Sequence, residues 1–136
     1  MIYTTYFSKV KDLPENVIPI SICGKAPDGW TGLQYKKLAP KYSFFKIWKE
    51  TQDDDYYIEH YENEVLKPLN AVEVVADLKH LCGKSMYSNV DIALVCYEKP
   101  ENFCHRHLVS GWLIKNGFES GEYIDKSDSY KEKRNT

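Results

Sequence analysis

Apolar positions fall in short runs separated by polar stretches, and the spacing within each run predicts its element. Residues 2–6 are β-branched and aromatic and predict a first strand. Residues 9–16 contain Pro14 and predict a crossover or helical turn. Residues 17–23 (VIPISIC) predict a second strand, with Pro19 confining its early part to an edge or entry position. Residues 24–32 carry three glycines and Pro27 and predict a loop.

Helical spacing begins after Pro40. Phe44, Phe45, Ile47 and Trp48 predict the inner face of an amphipathic helix over residues 42–51. Asp53, Asp54 and Asp55 supply an N-cap and favourable dipole charges for a helix over 56–66, with Tyr57, Ile58, Tyr61 and Val65 inward. Asn70 and Glu73 have capping-box spacing ahead of the face Val74, Val75, Leu78, Leu81 and Cys82, and Gly83 predicts its stop. Residues 91–97 (DIALVCY) are apolar without alternation, as a strand covered on both faces should be. Asn102 is expected to cap a helix running to Asn116, burying Leu108, Val109, Trp112 and Leu113 and ended by Gly117. Residues 118–124 predict a last strand, and the polar residues 125–136 a disordered tail. Strands alternating with helices predict one α/β domain over residues 1–124: three layers around a mostly parallel sheet of four to five strands.

Composition narrows the function classes. The chain has 136 residues, 43% of them hydrophobic and 28% charged, enough for one core without disulfide or metal staples. A net charge of −2 and a pI near 6.1 argue against a broad nucleic-acid-binding field. No apolar run approaches the roughly 18 residues of a membrane span, and no export signal is visible. A cytoplasmic location is therefore expected, with free thiols at Cys23, Cys82, Cys96 and Cys104. Eleven tyrosines suit half-buried rims, groove linings or stacking platforms. Lys36, Lys37, Lys41, Lys46 and Lys49 interleave with aromatic residues, as in a nucleic-acid groove. The amphipathic helix with a solvated lysine face is the favoured reading, and Asp53 to Asp55 weaken the groove. His60 and His80 are read as structural.

Candidate chemistry concentrates in residues 96–107 (CYEKPENFCHRH), between a buried strand's carboxyl end and the next helix. In open α/β sheets that edge is where ligands bind, and helix N-termini favour anions. Arg106 is suited to phosphate or carboxylate. Cys104 near the helix N-terminus is a candidate nucleophile or polar lining, and His105 and Glu98 are candidate proton carriers. The same residues have a plainer reading. Cys104 can be a buried filler, Arg106 can pair with Glu98 or Glu101 to hold the turn, and Asn102 can simply cap the helix. His105 and His107 diverge around a helix, which places at least one at the surface.

Specific mechanisms can be tested by spacing. A phosphatase-type loop fails, because Cys96 precedes Arg106 by ten positions and Cys104 by two. The zinc-deaminase pattern is absent, as are glycine-rich phosphate loops. Cys96, Cys104, His105 and His107 offer soft ligand atoms, but their spacing matches no standard zinc site, so no cofactor is expected and zinc is a minor option.

The run 91–100 (DIALVCYEKP), followed by Phe103-Cys104-His105-Arg106-His107, resembles the domain of unknown function family 488. In that family an apolar strand ends in Cys-x-Glu, and Cys-His-Arg opens a helix. Residues 2–8 are similar to its first strand. The resemblance implies a compact α/β domain in which Glu98, Cys104, His105 and Arg106 converge on one pocket. Tyr6, Ser8 and Asn102 are counted with Arg106 among the ligand-binding candidates. Many relatives carry an arginine after the second strand, where this chain has Ser21-Ile22-Cys23-Gly24, so Cys23 or Lys25 is expected in its place. The family name carries no agreed activity.

Together these readings predict an anion-accepting pocket at the turn from Glu98 to Arg106. It would bind or process a nucleotide, a nucleic-acid-derived ligand or another phosphate-bearing molecule. A nucleic-acid partner stays open and a membrane is not expected. The alternative is a non-catalytic protein-interaction module in which these residues only brace the turn.

Overall fold

The computed structural model describes residues 1–125. Strands β1 (Ile2–Tyr6), β2 (Val17–Ser21), β3 (Leu33–Gln34), β4 (Asp91–Cys96) and β5 (Ser120–Glu122) form one sheet in the order β3-β2-β4-β1-β5. Every pairing is parallel. Helices α1 (Tyr42–Thr51), α2 (Asp54–Tyr61) and α3 (Ala71–Leu81) lie between β3 and β4, and α4 (His105–Lys115) between β4 and β5. This is the single α/β domain expected.

β4 is flanked by β1 and β2, and Ile92, Ala93, Leu94 and Val95 are fully buried. That explains its unbroken apolar run. Pro19 is accommodated because β3 pairs only with Ile20 and Ser21, which leaves Val17–Pro19 as the sheet's edge. The main core joins Ile2, Ile20, Ile22, Ile92 and Leu94 to buried residues of all four helices. These strand residues share one face, since β1, β2 and β4 pair in register and side chains alternate. The connection from β1 to β2 crosses the sheet in the opposite direction to that from β3 to β4. Right-handed crossovers therefore put the 3-10 segment Phe7–Asp12 on the other face. That third layer is thin.

Local signals mark most element ends. Asp53 accepts from the Tyr56 amide at 3.1 Å, and Asn70 from the Glu73 amide at 3.1 Å. Asn70→Ala should cost about 1 kcal/mol, read as a lower urea midpoint with unchanged m-value. Gly83 and Gly117 end α3 and α4 with φ of 72° and 90°. The expected helix over 56–66 is instead α2 followed by one π turn, Glu62–Leu66, where the Lys67 amide reaches the Glu62 carbonyl. Ile47 and Leu81, expected inward, are exposed. Phe44 and Trp48 take the inner side of α1, and Val74, Val75 and Leu78 that of α3. Residues 126–136 of the expected tail lie outside the described residues. Asp125, at its root, pairs with buried Lys9 at 2.6 Å.

Candidate functional site

β2 and β4 are neighbours whose onward connections part. The chain leaving β2 runs to β3 at one edge, and the chain leaving β4 runs through α4 toward β5 at the other. A crevice forms beyond the carboxyl ends of such strands. Here it is a cavity of about 720 Å³, within the usual range for small-molecule sites.

The floor is sulfur and imidazole. Cys23 follows β2, Cys96 ends β4, and Cys104 and His105 open α4; all four are buried and line the cavity. Nε2 of His105 lies 2.9 Å from the Ile22 carbonyl, which can only accept, so Nε2 carries the proton. Nδ1 is left as an acceptor, 3.6 Å from the Cys96 sulfur and 3.9 Å from the Cys104 sulfur. The Cys96 thiol is lowered by its hydrogen bond with Cys104, but its hydrogen bond with Cys23 and its burial outweigh this and push it up to about 12. The Cys104 thiol is raised to about 12 by its hydrogen bond with Cys96 and by burial, against a smaller lowering by His105. Both thiols are neutral near pH 7.

The wall is aromatic. Phe45 and Trp48 of α1, Tyr57 of α2 and Phe103 line it. The Trp48 ring lies 5.5 Å from Tyr57 and 5.6 Å from Phe103, and Tyr57 meets Phe103 edge-on at 4.9 Å. Burial pushes the Tyr57 phenol far above its ordinary value, so it stays protonated. The exposed lining residues include Lys25, Lys49, Tyr97 and Glu98, which form the rim. The Tyr97 hydroxyl donates to the Lys25 carbonyl and ties the Gly24 to Gly32 loop to the end of β4.

The cavity gathers Glu98, Cys104, His105, Cys23 and Lys25. Arg106, Tyr6, Ser8 and Asn102 are not among its lining residues. Arg106 corrects the expectation of an anion clamp. Its Nε and Nη2 donate to the two Glu122 carboxylate oxygens at 3.0 Å each, and its Nη1 donates to the Glu98 carbonyl. The Arg106 side chain is 0% exposed and its carbon centre sits 5.9 Å from the Tyr6 ring. Its ion-pair partner is thus the Glu122 carboxylate rather than that of Glu98 or Glu101. Tyr6 packs on this brace, and Ser8 is exposed in the 3-10 segment. Asn102 does not cap α4 but donates to Glu98 at 3.3 Å; the N-cap position is Cys104, with no side-chain cap. The divergence of His105 and His107 leaves neither fully outside. His107 is half-buried, and its Nε2 has no partner among the described residues.

Spacing along the chain marks Cys96 only as a source of a soft ligand atom and Tyr57 only as core, whereas both line the cavity. Phe45, Trp48 and Lys49 belong to the basic and aromatic interleaving, of which the favoured reading puts the aromatic residues on an inner face and the lysines on a solvated one. That pattern was the available signal for the wall.

Fold and site together define an all-parallel α/β domain whose switch-point crevice has a thiol and imidazole floor. All four cysteines are free, and among the described residues no helix is long and apolar enough to cross a membrane. The chain belongs to the DUF488 family: residues 9–117 match the family model described as the active DUF488-N3 subclade. No curated protein and no solved structure matches it significantly.

Proposed function

We infer that the protein binds and processes a nucleotide-class ligand in the crevice between β2 and β4. The carrying observation is one cavity that combines an aromatic wall, a cationic rim and a polar floor. Trp48, Tyr57 and Phe103 offer ring faces and edges for a planar base. Lys25 and Lys49 suit a phosphate, and the Glu98 carboxylate lining the same cavity can carry a proton. Cys104 and His105, with Cys96, form the reacting centre. A reducing, cytoplasmic setting would keep its thiols free.

The test is a thermal-shift series on the full chain with adenosine 5′-monophosphate, adenosine and inorganic phosphate. A nucleotide at 100 times its dissociation constant should stabilise the parent by about 2.7 kcal/mol. Adenosine and phosphate should each do less at equal concentration. Lys49→Ala should weaken nucleotide binding roughly tenfold, about 1.4 kcal/mol, while leaving stability without ligand within about 0.5 kcal/mol. No shift with any of the three would remove the reading.

A second reading rests on the Arg106–Glu122 pair and the 5% exposure of Cys104. In it the turn is only braced, and the exposed aromatic rim binds a protein. It predicts a flat series.

A further inference from the structure

The cavity floor has the makings of a cation site that sequence spacing does not reveal. The Cys96 sulfur, the Cys104 sulfur and a ring nitrogen of His105 lie within 4.8 Å of one another. Around a tetrahedral zinc ion, with Zn–S near 2.3 Å and Zn–N near 2.0–2.1 Å, a sulfur and a nitrogen stand about 3.6 Å apart. The corresponding distances to Nδ1 of His105 are 3.6 Å from Cys96 and 3.9 Å from Cys104. Both sulfur–nitrogen distances are within a few tenths of an ångström of ligating values, and the two sulfurs lie within 4.8 Å of each other.

The tautomer agrees with the distances. Nε2–H donates to the Ile22 carbonyl at 2.9 Å, so the Nδ1 lone pair is directed at the thiols. A carbonyl in that position is the usual outer partner of a metal-binding imidazole, fixing ring orientation and raising basicity. Donor chemistry narrows the ion, because thiolate with imidazole prefers zinc and its soft neighbours to magnesium or calcium. Charge agrees as well. Two thiolates and one neutral imidazole around a divalent cation sum to zero, so no net charge is placed in a buried site.

We propose that Cys96, Cys104 and His105 hold one zinc-class divalent cation whose fourth position faces the cavity. On binding, each thiol loses its proton to solvent, two protons per cation, and both sulfurs ligate as thiolates. Cys23 packs beside these cysteines but lies outside the mutually close set. The cation stands on this geometry alone. What its open position meets rests on the ligand-pocket reading, under which water or a ligand donor would occupy it.

The test uses the full chain, stripped with a chelator under reductant and titrated with zinc chloride alone against a chromogenic competitor. One equivalent should bind with release of two protons, and cobalt(II) should give the intense visible bands of a tetrahedral thiolate site. Cys96→Ser and Cys104→Ser should each weaken zinc binding at least about 100-fold, with folding verified by circular dichroism. Cys82→Ser, a control on the far end of α3, should bind as the parent does. Absence of stoichiometric uptake by folded parent overturns the proposal, as does uptake unchanged in both cavity variants. If zinc fails while adenosine 5′-monophosphate still stabilises the parent, the metal inference falls and the pocket reading stands. If zinc binds and the nucleotide does not, the reverse holds.

Discussion

Arg106→Ala should destabilise the protein by about 3–5 kcal/mol, the usual cost of removing one partner from a buried ion pair. The Arg106 side chain is 0% exposed and that of Glu122 only 19%, so truncation strands a carboxylate with little water to replace the guanidinium. Thr4 still donates to Glu122 at 2.7 Å, which recovers part of the loss. The Glu98 carbonyl loses its donor at the same time. Against a total stability of about 5–15 kcal/mol, such a loss leaves little margin. Urea denaturation is the measurement, with a lowered midpoint and an unchanged m-value. Arg106→Lys should fall between parent and alanine, because an ammonium keeps the charge but not the two-pronged geometry. A loss below about 1 kcal/mol would show that solvent screens the pair. The site should suffer too, since Arg106 ties the turn carrying Glu98 to β5.

Phe44→Ala should cost about 3–5 kcal/mol, the range for emptying a buried aromatic position. The Phe44 ring is 1% exposed and meets Tyr57 at 5.3 Å and Tyr61 at 6.4 Å. Tyr61 in turn lies 5.5 Å from His105 and donates to the Leu38 carbonyl at 2.6 Å. The wall and floor of the cavity therefore rest on Phe44 from behind, and nucleotide binding should weaken along with stability. Ile47→Ala on the same helix is the comparison. Ile47 is 42% exposed, so its truncation should stay within about 0.5 kcal/mol. Equal losses from the two variants would contradict the assigned inner face of α1.

The distinction between Phe44 and Ile47 shows the limit of periodicity. Both fit an apolar stripe in the sequence, yet a stripe on a ten-residue helix is wider than the contact it makes. Which part of it is buried depends on where α2 docks. Leu81 at the end of α3 follows the same logic.

By itself, the sequence determined what depends on neighbours along the chain. The two helix caps at Asp53 and Asn70, the stops at Gly83 and Gly117, the loop after β2 and the buried character of β4 are all local preferences of backbone and side chain. Alternation of strands with helices determined the α/β class for the same reason, and the Glu98 to Arg106 turn placed most of the candidate chemistry. The tertiary structure alone decided strand order, and with it the crevice between β2 and β4. It brought Cys23 to within reach of Cys96 and Cys104, and Trp48 and Tyr57 to Phe103, across separations no local spacing records. It also turned Arg106 from the cavity to Glu122, sixteen positions away. A buried guanidinium goes to the carboxylate the fold puts beside it, and that neighbour exists only once β5 pairs with β1.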